Sequence, residues 1–398
     1  MINNRISSFH NYQSVQNDLR RQENKIHHNQ AQLASGKKLL TASDNPLAAH
    51  YVQGISQQTE ETNQYLDSIV LIRNRLEHQE VVISSAEQHA DSAKRSVMEM
   101  INGALSPEDR AATARELEEM ATNVLNLVNT QDESGNYIFA GTKPKNQPFF
   151  KDHDSSVRYV GDTYQRMMKI SNGLDIPVND PGNKVYMEID NPLGDYKANY
   201  NLQETSELLL ERAVNNDFVD DASYKVTFVD MADGSYGYQL EKNGKVVAAD
   251  AYDPQVGIRH EKLSLQFKGQ ITPGDQIAFE PQRTFSIFES FNDAIEMSKK
   301  SVSDASATAE LHQVTAQFHA AFIHLNKVRT DLGARMGTLD IQEQQHEDFK
   351  ISMAKSKSNF EDLDYAEAVI EFNENSLALQ ASQQAFGKTK DLTLFNYI

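Results

Sequence analysis

The chain has 398 residues, 24% of them charged, and a formal net charge of -19. An acid excess of this size repels a phosphate backbone, and no Lys/Arg cluster interleaved with aromatics relieves it, so nucleic acid is not an expected partner. There is no cysteine and no tryptophan, which removes disulfides, thiolate catalysis and Cys-based zinc centres, and no apolar run nears the ~20 residues of a membrane span.

The opening MINNRISSFHNYQ has neither a basic n-region nor an apolar h-region, so no cleaved secretory signal is expected. Residues 1 to 35 contain no Gly or Pro and can run as a helix, with Leu19, Ile26 and Leu33 at heptad spacing along one side. Gly36 can end that helix in a left-handed conformation, and Ser43, Asp44 or Asn45 can cap the next, whose first position is Pro46. Ile55, Thr62, Ile69, Leu76, Ile83, Ala90 and Val97 then form a second heptad stripe, seconded by Tyr65, Ile72, Ala86, Ala93 and Met100. Asn102-Gly103 closes this helix after about 55 residues, roughly 80 Å at the usual rise. Ser106 caps a third helix, with Pro107 at its first position and Glu108 and Asp109 at the positive end of its dipole; it should end near Gln131.

Punctuation then changes. Eight of the ten prolines, Pro144 to Pro281, and twelve of the eighteen glycines, Gly135 to Gly274, fall in the middle of the chain. Short β-branched and aromatic runs, Val157 to Val160, Tyr224 to Val229 and Leu263 to Phe267, alternate with turn signals Asn172-Gly173, Asp233-Gly234 and Asn243-Gly244. Beyond this insertion the heptad returns as Leu311, Phe318, Leu325 and Leu332, interleaved with Val314, Ala321 and Val328. The stretch from Thr338 to Phe386 is free of Gly and Pro and can run as a long helix. Its far end carries two stripes: Ala366, Ile370 and Leu377, with Asn373 as a polar register position, and Val369, Phe372, Leu379 and Phe386. A helix apolar on two sides needs more than one neighbour.

These elements predict a mainly α fold with a β-rich insertion: an elongated rod of long antiparallel helices with coiled-coil termini and a protruding β-rich part. The expected divisions are terminal helices 1-45 with 345-398, a long-helix rod 46-132 with 286-344, and the insertion 133-285. The insertion should have a base at 133-195 and an outer part at 196-285, within which residues from about 195 to 260 should be removable.

The turn from Leu33 through Gly36 to Ser43-Asp44-Asn45-Pro46 resembles the signature that follows the first terminal helix of the bacterial flagellin family. Ser358 to Ala366, the end Leu392 to Ile398 and the segment Arg329 to Leu339 resemble its C-terminal region. Asp132 to Pro144, Pro148-Phe149, Tyr159 to Arg166 and Ile176 to Gly182 are similar to the family's junction-forming hook-associated branch. That branch ranks ahead of a filament flagellin or the usually longer hook-associated protein 1.

The resemblance implies a structural adaptor at the hook-filament junction, located outside the cell on the flagellum after type III export. The implied partners are hook-associated protein 1, flagellin, copies of itself and an export chaperone. The terminal stripes Leu19, Ile26, Leu33, Ala366, Ile370, Asn373 and Leu377 are the expected assembly interface, and Tyr137, Phe139 and Phe149 the expected anchor where helices give way to β structure. The other classes are an enzyme carried on a filament and a membrane-inserting component. Some family members carry His-Glu-x-x-His, but here His346-Glu347 is followed by Lys350 and His260-Glu261 by Ser264, so no zinc-protease site, cofactor or metal is expected. Asp152-His-Asp154 resembles the opening of a calcium loop, yet Val157 stands where Gly is needed and Thr163 where Glu is needed, so it reads as a turn. His312 and His319 lie a heptad apart on one helix face, and His27-His28 sit beside the Ile26 stripe; all four read as surface or interface residues. The apolar stripes lack a Lys/Arg-rich polar face, so membrane insertion is not expected.

Overall fold

The computed structural model describes residues 8-101, 105-153, 155-216, 222-231, 234-300 and 304-391. Three helices come first: α1 (Ser8–Ser35), α2 (Pro46–Ile101) and α3 (Pro107–Val128). Short strands follow, β1 (Phe149–Lys151), β2 (Val157–Tyr159), β3 (Met167–Ser171) and β4 (Leu174–Pro177), then α4 (Gly182–Tyr186) and β5 (Ile189–Asp190). The next eight strands are β6 (Tyr196–Asn201), β7 (Leu209–Asn215), β8 (Tyr224–Asp230), β9 (Tyr236–Lys242), β10 (Lys245–Ala251), β11 (Ile258–His260), β12 (Leu263–Lys268) and β13 (Gln276–Pro281). β14 (Thr284–Phe285) leads back to helices α5 (Ile287–Ser298), α6 (Ala305–Glu361) and α7 (Tyr365–Asp391). The fold is mainly α with a β-rich part in the middle.

Contacts divide the chain into a terminal unit, Met1–Asp67 with Ile341–Ile398, and a central unit, Ser68–Asp340. In the central unit the heptad positions become the core: Ile69, Leu76, Ile83, Ala90 and Val97 of α2 and Leu311, Phe318, Leu325 and Leu332 of α6 are buried, with Leu117, Val124 and Val128 of α3 and Phe288 and Phe291 of α5. Polar ties reinforce the packing. The Arg329 guanidinium forks between Glu80 at 2.6 Å and Glu87 at 2.5 Å, and Arg73 meets Asp340 at 2.9 Å. α3 begins with a capping box, in which Ser106 accepts from the Asp109 amide and the Asp109 carboxylate accepts from the Ser106 amide. It stops at Val128, three residues before the expected end, because the Asn129 side chain leaves the helix direction to bond both the amide and the carbonyl of Phe149. The expected stop of α2 at Asn102-Gly103, the residues Asp154 and Asp233, and the tail Leu392 to Ile398 lie outside the described residues.

The predicted anchor aromatics behave differently from one another. Phe139 and Phe149 are buried beside Tyr186, with ring centroids at 5.1 and 6.0 Å, and Phe149 also meets Tyr159 and Phe288. Gly182 is required there, since a Cβ would lie 2.5 Å from the Phe149 ring. Tyr137 is half-buried and contributes through its backbone, donating to the Pro144 carbonyl at 2.7 Å. The single Tyr159 hydroxyl proton is shared between the carbonyls of Asp162 at 2.7 Å and Phe139 at 2.9 Å, and burial pushes the group's pKa up to about 12.

Strands β6 to β13 form a module with its own core. Five are antiparallel in the order β10-β9-β8-β13-β6, and three in the order β11-β12-β7. Tyr196, Val226, Phe228, Leu240, Leu265, Ile277 and Phe279 fill the space between them. The chain enters and leaves at one neck, where the Gln282 amide donates to the Asp195 carbonyl and the Asn191 side chain donates to the carbonyls of Tyr196 and Gln282. This corrects the expected removable stretch of about 195 to 260. β12 pairs with β7, and β13 with β6 and β8, so that cut would strip both remaining strands of their partners. The mutually paired strands run from residue 196 to 281.

A second correction concerns the stretch from Thr338 to Phe386. It is not one helix, because α6 ends at Glu361 and α7 begins at Tyr365. Asp364 causes the restart, its carboxylate accepting from the amides of Ala366 and Glu367 as a helix cap.

Candidate assembly surface

The break between α6 and α7 sits opposite the break between α1 and α2, and the two are bonded together. Gly36 holds φ +69°, and the Tyr365 hydroxyl lies 2.9 Å from where a Cβ would project. The Lys38 amide donates to the Glu361 carbonyl at 2.8 Å and the Leu363 amide to the Gly36 carbonyl at 3.0 Å, an antiparallel bridge between Lys37 and Asp362. Lys37 also reaches the Glu361 carboxylate at 2.5 Å; that bond, with the Lys357 charge, holds the Glu361 carboxyl below the usual range. Next to it the amides of Leu40 and Thr41 bond the Asp44 carboxylate and lower its pKa, while Asn45 caps α2 by accepting from the Ala48 amide. Of the three expected capping residues, Asn45 caps the helix and Asp44 closes the turn before it.

Beyond this joint α1 and α7 pack along one another. The Gln22 side-chain amide reaches the carbonyl and side-chain oxygen of Asn375 at 3.3 Å. On α1 the predicted residues Leu19, Ile26 and Leu33 are half-buried. On α7 the two stripes part company: Ala368 is buried and Phe372, Leu379 and Phe386 are half-buried, whereas Ala366, Ile370, Asn373 and Leu377 all face water. Ile370 is 60% exposed and Leu377 66%. Val369, assigned to the second stripe by spacing, is also exposed, and Ala368 takes its place in the covered one.

On the other side of the joint the terminal unit holds α2 against α6. Tyr51 stacks on Phe360 and Tyr65 on His346, each at 5.5 Å, and the Thr59 hydroxyl contacts the Met353 sulfur. Here too apolar groups remain outside, among them Leu47, Phe349 and Ile351, the last 68% exposed. Among the described residues of this unit only Ala48, Met353 and Ala368 are buried apolar side chains. The unit is thus a set of paired helices with uncovered apolar faces, a surface suited to further helices of the same kind.

Sequence reading located the open stripe but missed the joint. Its signal was Asp364-x-x-Glu367, the spacing of an acidic helix cap, immediately after Asp362-Leu363. Among the described residues, no group of three or more His, Asp or Glu side chains could hold a metal ion, and no helix is long and apolar enough to cross a membrane.

Comparison with known proteins bears on the same regions. The profile described as the bacterial flagellin N-terminal helical region matches residues 6–144, and that of the bacterial flagellin C-terminal helical region matches residues 315–398, together more than half of the chain. Flagellar hook-associated protein 3 of Escherichia coli (strain K12) is 28% identical over 158 residues, 40% of this chain and 49% of that protein. The protein of the same name from Salmonella typhimurium is 32% identical over 118 residues, 30% of this chain and 37% of that one. The matches therefore span half or less of the curated relatives' length. A crystal structure of flagellar hook-associated protein 3 from Legionella pneumophila has a similar fold, with TM-score 0.69 at 23% identity over 77% of this chain and 98% of that one. The flagellar junction protein of the same organism gives TM-score 0.67 at 24% identity, covering 78% and 99%.

Proposed function

The chain belongs to the bacterial flagellin family, and from that premise we propose that it is a structural, non-catalytic subunit of the flagellum acting as an adaptor at the hook-filament junction. Its partners are then copies of itself, hook-associated protein 1 on the hook side and flagellin on the filament side. The terminal helix α7 brings an apolar surface that assembly would cover. The observation that carries this reading is the open stripe Ala366, Ile370, Asn373 and Leu377 on a helix whose opposite face is already occupied by α1. The relatives named hook-associated protein 3 and junction protein support the position. Export as an unfolded chain by the flagellar type III apparatus, with a dedicated chaperone, and an extracellular location follow from the same reading.

Deleting the gene tests the proposal directly. Hooks should persist while unassembled flagellin accumulates in the medium, and the intact gene should restore filaments. Filaments of normal length in the deletion strain would remove the junction role, and loss of hooks would move the protein to an earlier step.

A further inference from the structure

Arginines of the central unit generally meet a matching acceptor. Arg73, Arg329 and Arg335 each hold a carboxylate, and the buried Arg110 guanidinium donates to the carbonyls of Met297 and Ser298 at the end of α5. Two do not. Arg75 on α2 makes one weak contact, to the Met168 sulfur at 3.8 Å, and the Arg166 side chain has no hydrogen-bond partner although its Nε is cut off from solvent. Arg75 reaches the side chain of Met168, two residues along an extended segment from Arg166 and so on the same side of it, and its charge adds to burial in lowering the Arg166 pKa.

The nearby carboxylate is already engaged. Asp132 accepts from the Ser134 and Asn136 amides and from the Asn136 side chain, so it lies near both cations without bonding either. Arg166 is meanwhile held by its backbone: its amide donates to the fully buried Asn179 side chain at 2.7 Å and its carbonyl accepts from Val178 at 2.9 Å. Tyr164 and Met167, its near neighbours in sequence, are exposed, and so is Leu71 one turn before Arg75. Two half-sheltered like charges share one carboxylate that bonds neither, and their unused donors still cost free energy until an acceptor meets them.

We propose that Arg75 and Arg166 form a receptor for a carboxylate of a neighbouring copy of this chain, on a surface that also exposes Tyr164 and Leu71. A guanidinium fork matches a carboxylate bidentately. Charge complementarity names the occupant: each copy carries 57 acidic against 38 basic residues, so copies present carboxylates to one another and repel except where such a cationic pair accepts one. The inference rests on the self-assembly proposed above and adds a contact made by the central unit.

The test places a photo-crosslinking amino acid at Tyr164 in the full chain and compares assembled junctions of the parent, of an Arg75→Gln/Arg166→Gln variant and of Leu377→Asp. The parent should crosslink to a second copy. The double variant should fold with an unchanged circular dichroism spectrum, lose that crosslink about tenfold and shed filaments in raised salt. Crosslinking to a different protein, or an undiminished crosslink in the double variant, overturns the receptor. So does phosphate binding by the monomer that needs Arg166 while the double variant's junctions stay intact, because the anion is then a free one. If Leu377→Asp also assembles normally, the assembly reading itself has failed; if it alone fails, only the receptor has.

Discussion

The central and terminal units use the same heptad device with opposite outcomes. In the central unit the stripes of α2 and α6 are covered by each other, by α3 and α5 and by the β base, and Ile69, Leu76, Phe318 and Leu325 are buried. In the terminal unit a comparable stripe, Ile370 and Leu377, stands in water. Helix propensity does not separate them; the number of neighbours does. A heptad repeat shows that a face needs a partner and is silent about whether the same chain supplies it.

That contrast can be broken from either side. The largest effect should come from excision. Joining residue 195 to residue 261 leaves Leu265, Phe267, Ile277 and Phe279 without their covering strands and should yield aggregated protein, whereas joining Asp195 to Gln282 should leave a soluble helical chain; gel filtration and circular dichroism distinguish them. Next is Phe318→Ala, which empties a fully buried site against Phe291 at 4.9 Å and should cost about 3–5 kcal/mol in denaturant unfolding.

Leu377→Asp should shift unfolding by only about 0.5 kcal/mol, as an exposed substitution does, yet abolish junction assembly in motility and filament-retention assays. Ile26→Asp would blur the comparison, since half-buried Ile26 also supports the packing of α1 on α7. The smallest effect is at the joint. The Glu361 carboxyl is held below its ordinary 4.5 by Lys37, so its contribution is complete above pH 4.5 and fades as pH falls through the lower folded value. Solvent screening keeps it slight. Amide NMR signals of Lys38 and Leu363 should shift together in that acid range, and Glu361→Gln should remove the transition.

Most of the fold was legible because its signals are local. Heptad spacing named the buried residues of α2 and α6, Ser106-Pro107 marked the start of α3, and Asn243-Gly244, both with positive φ, turned β9 into β10. What stayed hidden depends on distance in sequence. The pairing of β13 with β6 and β8 made the 195 to 260 boundary wrong, and no spacing rule shows that Asp195 and Gln282 are bonded. The bridge of Lys37 to Asp362 joins opposite ends of the chain. For the candidate surface, spacing identified both stripes on α7 but could not say which one α1 would cover, and it misplaced Val369.

Gln313 on α6 carries one further consequence. Its side chain accepts from the Ala198 amide at 3.1 Å and donates to the Ala198 carbonyl at 3.4 Å, and Ser306 accepts from the Leu202 amide. A single carboxamide thus imitates the next strand and closes the β6 edge; at the far edge β10 carries a bulge and a terminal lysine, both of which discourage strand addition. Crowded sheets with free edges recruit each other into fibres. Here the helices are left open to company and the sheet is fenced, so high local concentration can favour ordered growth over amyloid-like fusion.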